Sequence, residues 1–139
     1  MEASKTTLKC LAVRVLSSPY PELVLAGRLA YDSALPYAVY LGVAEVYPFA
    51  GGEPPVCWTF GRDLLDRGRR APAGAGDVRV APGADGLVLI ELRGSAGSAV
   101  LGVPGTQVGA FLDEAFALVP AGTETDHLDL DGCLAQLLV

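Results

Sequence analysis

The chain has 139 residues, 51 % of them hydrophobic, with a formal net charge of −6 and three cysteines. That length suits one domain spanning residues 1–139, able to bury roughly two-thirds of its unfolded surface in a single core. The acidic balance argues against broad attraction to a phosphate backbone, which needs a basic face, and no apolar run approaches the ~20 residues of a membrane helix.

Residues 1–5 are expected to be disordered. Thr6 to Leu16 reads as a strand that is apolar on both faces, with Leu11, Val13 and Val15 against Leu8, Cys10, Ala12 and Leu16. Arg14 interrupts this run and no small-residue cleavage site follows, so it is not read as a signal peptide and a cytoplasmic location is expected. The Ser17–Pro21 segment ends the strand, because each proline removes a ladder donor and fixes φ. Leu23 to Tyr31 is a second strand, with Leu23, Leu25, Leu29 and Tyr31 on one face. After a turn at Asp32–Pro36, Tyr37 to Val46 forms a third, alternating Tyr37, Val39, Leu41 and Val43 with Tyr40, Ala44 and Val46. Two apolar faces imply cover on both sides, in a sandwich or under a neighbouring subunit. A mean hydropathy of +0.39 points the same way, towards a homo-oligomer whose contacts use the surplus apolar surface.

Pro48 to Pro55 is a loop by composition. Trp58 and Phe60 share one face of a short strand, after which Phe60, Leu64 and Leu65 share a helical face. Asp63 precedes Arg67, and Arg62 precedes Asp66, at i,i+4 ion-pair spacing on that helix. Gly68 is expected to stop it by taking a positive φ. Asp77-Val78-Arg79-Val80 alternates as a half-buried strand, and Pro82–Gly86 turns into a strand from Leu87 to Arg93. Gly94–Gly97 closes a hairpin onto Ser98–Val103. From Thr106, read as an N-cap, Val108, Phe111, Leu112, Ala115, Phe116 and Val119 mark an amphipathic helix that stops before Pro120. A last short helix is expected at about Asp131 to Leu138. Four strands, a short central helix, three or four strands and then C-terminal helices indicate an α+β fold of two antiparallel sheets packed in a sandwich.

No catalytic set emerges. His127 is the sole histidine, with no G-x-S-x-G elbow and no cysteine signature to pair with it. Asp126, Asp129 and Asp131 fail the calcium-loop pattern, since position 138 is Leu138 where a glutamate is needed, and they suit a helix N-terminus instead. Gly74-Ala75-Gly76 precedes a strand and lacks the third glycine of a nucleotide fingerprint. Asp63, Asp66, Glu91, Asp113 and Glu114 occupy ordinary solvated-face positions. Cys10, Cys57 and Cys133 form no C-x-x-C pair and read as small buried hydrophobes. Catalytic, metal and cofactor residues are therefore assigned as none, and the chain is expected not to be an enzyme. One group stands out: Arg62, Arg67, Arg69 and Arg70, four arginines in nine residues of an acidic chain. It is either a self-neutralised helix face or a patch that binds carboxylates on a partner.

Several short motifs in fixed order carry a resemblance. Leu29-Ala30-Tyr31-Asp32 with Pro36-Tyr37-Ala38-Val39, then Trp58 to Leu65, Pro72, Gly74 to Val80, Val119 to Glu124 and His127 to Asp131 together resemble the SsgA-like proteins. These are sporulation and cell-division regulators of filamentous actinobacteria. The likeness spans residues 6–138, with an apparent insertion at Pro48–Pro55 and Ala34 where the family usually carries an acid or amide. It implies a whirly-like two-sheet fold and a non-enzymatic regulator of septum placement or activation, or of spore-wall remodelling. It also implies recruitment to the septum with other SsgA-like proteins and the FtsZ-based machinery. Self-association is expected, a trimer favoured, with no small-molecule substrate and no membrane insertion. The alternative is a single-stranded nucleic-acid module using Tyr20, Tyr37, Tyr40 and Tyr47 as stacking platforms.

Overall fold

The computed structural model describes residues 4–17, 23–44, 56–95 and 97–127. Its strands are β1 (Thr6–Val15), β2 (Val24–Asp32), β3 (Ala38–Ala44), β4 (Val56–Gly61), β5 (Val78–Pro82), β6 (Leu87–Gly94) and β7 (Gly97–Pro104). The helices are α1 (Arg62–Gly68) and α2 (Gly105–Leu118), with 3₁₀ turns at Ala84–Gly86 and Glu124–His127. The α+β class and the element order follow the sequence pattern. Residues 1–3, the breaks around Tyr20 and Pro21, the Pro48–Pro55 loop and the helix expected at Asp131–Leu138 lie outside the described residues.

The sheet arrangement differs from expectation. All seven strands form one antiparallel sheet in the order β4-β3-β2-β1-β7-β6-β5, not two sheets in a sandwich. The join is narrow: β1 meets β7 through Arg14↔Gly102 and Val15↔Leu101, continued just past the strand by the Leu16 N–H to the Val100 carbonyl at 2.8 Å and the Val100 N–H to the Ser17 hydroxyl at 3.0 Å, whereas it pairs with β2 along its length from Thr6↔Asp32 to Arg14↔Val24. Such a sheet curls almost into a barrel, with α2 packed against β1, β6 and β7, and α1 spanning β4 and β5.

One face of the curled sheet supplies the core. Leu11, Val13, Leu29, Tyr31, Val39, Leu41, Ile90, Leu92, Leu101 and Val103 are buried there beneath Val108, Phe111, Leu112 and Ala115 of α2. The helix starts behind Pro104 without a side-chain cap, so Thr106 is not the N-cap that its residue type suggests. Gly68 ends α1 but adopts no positive φ. It is glycine because a Cβ would stand 2.3 Å from the Val80 Cβ and 2.9 Å from the Val80 carbonyl oxygen. Cys10 and Cys57 are exposed, correcting their reading as buried hydrophobes, because both alternate to the sheet face opposite the one that packs on α1 and α2.

Candidate functional site

Two surfaces and one buried cluster decide what the arginine group can do. Arg62 is not part of an exposed patch: it is 2 % exposed. Trp58 and Phe60 point inward from β4, and Arg62, two residues on, keeps that inward parity as α1 begins. Its Nη1 donates to the Tyr31 hydroxyl at 3.0 Å and to the carbonyls of Ala115 at 3.1 Å and Val119 at 2.7 Å, while Nη2 donates to Glu124 Oε1 at 3.0 Å. The guanidinium also lies 4.2 Å from the Phe116 ring centroid and 5.1 Å from that of Tyr31, within cation–π range. A helix leaves its last carbonyls unpaired and its C-terminus partly negative. Arg62 satisfies both needs for α2, tying together β2, α1 and the Glu124–His127 turn.

The partners are tuned by this contact. The Glu124 carboxyl is held below its ordinary 4.5, first by a hydrogen bond from its own backbone N–H, then by Arg62 and the Gly122 N–H, against the opposing effect of burial. Burial pushes the Tyr31 hydroxyl above 10 although Arg62 opposes it, so the proton stays on the oxygen and is donated to the Pro36 carbonyl at 2.8 Å.

The remaining arginines lie along the outside of α1 and just beyond it. Arg67 pairs with Asp63 at 2.8 Å, and Arg69 donates through Nε and Nη2 to Asp66 Oδ1 at 3.1 and 2.9 Å. Arg70 stands 3.6 Å from the same carboxylate. Asp66 thus pairs with Arg69 and Arg70, not with Arg62 as i,i+4 spacing predicts. Arg67 and Arg70 are 65 % and 69 % exposed, whereas Arg69 is 24 % exposed and its Nη1 lies over Gly109 of α2. Of the four, Arg67 and Arg70 reach solvent, each beside a carboxylate of α1.

The second surface is the outer face of β1–β3, which sequence reading gave to an oligomer without locating its centre. Leu8, Leu16 and Val24 are 54 %, 44 % and 47 % exposed. Cys10, Arg28, Gly42 and Cys57 form one row across β1, β2, β3 and β4. An open groove of about 700 Å³ runs over this face, lined in part by Cys10, Ala12, Val24, Ala26 and Arg28, with Gln107 of α2 at its side.

Neither surface assembles reactive groups. His127 closes the Glu124–His127 turn. Among the described residues no three His, Cys, Asp or Glu side chains could together hold a metal ion, and no helix is long and apolar enough to cross a membrane. Tyr37 precedes β3 with its hydroxyl 3.0 Å from the Thr125 hydroxyl, while Tyr40 sits within β3 between Ala30 and Thr59. Tyr20 and Tyr47 lie outside the described residues.

Comparison with known proteins gives a consistent result. A family model described as Streptomyces sporulation and cell division protein, SsgA, matches residues 25–124. The chain is 40 % identical over 137 residues to the sporulation-specific cell division protein SsgB of Streptomyces coelicolor, covering 96 % of each chain. It is 41 % identical over 133 residues to SsgB of Kineococcus radiotolerans, covering 92 % of this chain and 77 % of the relative. A solved structure described as "Mutations in SsgB correlate to longitudinal cell division during sporulation of Streptomyces coelicolor" superimposes with a TM-score of 0.81 at 36 % identity, over 92 % of this chain and 99 % of that one. An SsgA-like sporulation-specific cell division protein from Thermobifida fusca superimposes with a TM-score of 0.82 at 29 % identity, over 99 % and 98 % of the two chains.

Proposed function

Since the chain belongs to the SsgA family of sporulation and cell-division proteins, we propose that it regulates sporulation-specific division by binding proteins and performs no chemistry itself. The observation that carries this reading is the outer face of β1–β3. It exposes Leu8, Leu16 and Val24 on a sheet whose other face already has its helices, and an exposed apolar patch of this kind marks an interaction surface. The occupant proposed for it is further copies of the chain, a trimer favoured. A closed oligomer repeats each subunit's remaining surface, and multivalent display raises avidity for a polymeric partner without new contacts.

The repeated surface proposed to meet the division machinery, including other SsgA-like proteins and the FtsZ-based assembly at the septum, is the edge of α1. Arg67 and Arg70 extend from it into solvent, and arginine forks suit carboxylates of an acidic partner. Arg69 supports that edge through Asp66, and Arg62 holds it from beneath.

The test is complementation. In sporulating cells lacking the endogenous gene, a fluorescent fusion of the wild-type chain should form septal foci and restore septa. The Arg67→Glu/Arg70→Glu form should accumulate to the same level and lose the foci. Normal foci and septa in that variant would remove the α1 edge from the mechanism.

A further inference from the structure

We propose that the seam where β1 parts from β7 is a strand-addition site, at which an extended acidic segment of another protein pairs with the edge of β1. The proposal rests on the protein-binding reading and does not depend on self-association. In an antiparallel ladder, directly opposite residues are alternately bonded and not bonded. The Val15 N–H donates to the Leu23 carbonyl at 3.0 Å and the Ser33 N–H to the Lys5 carbonyl at 2.8 Å. Both bonds continue the β1–β2 register, so the odd-numbered residues of β1 serve β2. The even-numbered ones turn the other way: Arg14 lies opposite Gly102, and the Leu16 N–H donates to the Val100 carbonyl. β7 then ends at Pro104, which has no N–H and caps α2. The N–H and C=O groups of Thr6, Leu8, Cys10 and Ala12 are left along an edge that has no backbone partner among the described residues. All four residues are exposed.

A row of alternating donors and acceptors is matched by an extended backbone. Nothing in β1 blunts this edge, since the strand holds no proline and its register runs without a bulge. The side chains say which segment fits. In an added strand, the residues bonded to β1 lie beside Leu8, Cys10 and Ala12 on the outer face. The residues between them lie beside Lys5 and Lys9 on the other face. β1 and the residue before it carry Lys5, Lys9 and Arg14 and no acid, in a chain of net charge −6. None of the three makes an ion pair among the described residues. Charge complementarity therefore calls for carboxylates opposite Lys5 and Lys9, with aliphatic residues at alternate positions. An uncharged residue belongs opposite Thr7, whose hydroxyl already donates to Glu114. Covering Lys5 to Ala12 takes about eight residues of strand.

The probe is the peptide acetyl-Val-Ala-Val-Asp-Val-Thr-Val-Glu-amide, which runs antiparallel to β1 with its valines opposite Ala12, Cys10, Leu8 and Thr6. Hydrogen exchange followed residue by residue by NMR should find the amides of Leu8, Cys10 and Ala12 fast in the chain alone, and those of Lys9, Leu11 and Val13 slow. Saturating peptide should slow the first three about tenfold and leave the second three unchanged. N-methylating the valines should abolish this protection, because their N–H groups face β1. N-methylating the aspartate and the threonine, whose N–H groups face away, should preserve it. Lys5→Glu/Lys9→Glu should weaken the peptide about tenfold. Slow exchange at Leu8, Cys10 and Ala12 without peptide would overturn the proposal. So would no binding at about millimolar peptide, binding that protects none of the three, or binding indifferent to which residues are methylated. Light scattering of the same samples reads self-association separately: a chain that assembles yet takes up no peptide would overturn the strand-addition site and leave the oligomer standing.

Discussion

Arg62 shows how a charged side chain in a signature can serve the interior. Its guanidinium meets two carbonyls at the end of α2, the Tyr31 hydroxyl and Glu124, and leaves no buried side-chain polar atom unpaired among the described residues. Arg62→Met keeps most of the apolar stem but takes the side-chain donor from the Val119 carbonyl and the Tyr31 hydroxyl, while the Ala115 carbonyl keeps the Val119 N–H. At about 1–3 kcal/mol for each buried orphan, with Glu124 able to rehydrate, the expected loss is about 3 kcal/mol. Urea unfolding should show it as a lower midpoint at unchanged slope. Arg62→Lys should recover little, because a single ammonium cannot span the same four partners. Glu124 adds a pH dependence of definite sign. Its folded pKa lies below the ordinary 4.5, so its contribution is complete above that value and is lost as pH falls through the lower folded one. Glu124→Gln should flatten the stability profile below about pH 4.5 and leave it unchanged at neutral pH in shape, though lower in height. The burial of Arg62 was legible in the even-numbered inward parity of Trp58 and Phe60. Its partner Glu124 was not, since no local pattern links residues 62 apart.

At the scale of elements, α1 is held by contact more than by its own length. It has only seven residues, too few to be stable alone in water, and it depends on Leu65 in the core and on the close approach of Gly68 to β5. Gly68→Ala should therefore destabilise by about 1–3 kcal/mol through overpacking against Val80, although alanine is the better helix former. Pairing it with Val80→Ala should return part of that loss in a double-mutant cycle, because the Val80 side chain is one of the two obstacles. An unchanged melting temperature in Gly68→Ala would refute this account of the joint. The sequence marked the position correctly and the reason wrongly: glycine next to a helix end suggests a left-handed residue, and only the neighbour across the fold reveals a steric need. The strands themselves were readable because alternation is a local property. Thr106 was misread as a cap because Pro104 and Gly105 let the helix start earlier.

Across the whole molecule, what sequence could not supply was the join between the two runs of strands. The runs β1–β4 and β5–β7 are each sequential hairpins, and they become one sheet only through the short meeting of β1 with β7. Two paired residues leave no periodic trace, so a sandwich and a curled single sheet read alike. The choice matters for function. In a sandwich the outer residues of β1–β3 could pack on a second sheet, whereas here Leu8, Leu16 and Val24 face outward and become available to other chains. A protein-binding role makes that face its principal asset. The most direct measurement is light scattering of the purified chain across micromolar concentrations, beside Leu8→Glu/Val24→Glu. The wild-type mass should rise with concentration to a fixed small multiple of the monomer, three being favoured, and the variant should remain monomeric with its melting temperature within a few degrees of wild type. A wild-type chain that stays monomeric at every concentration would contradict the account.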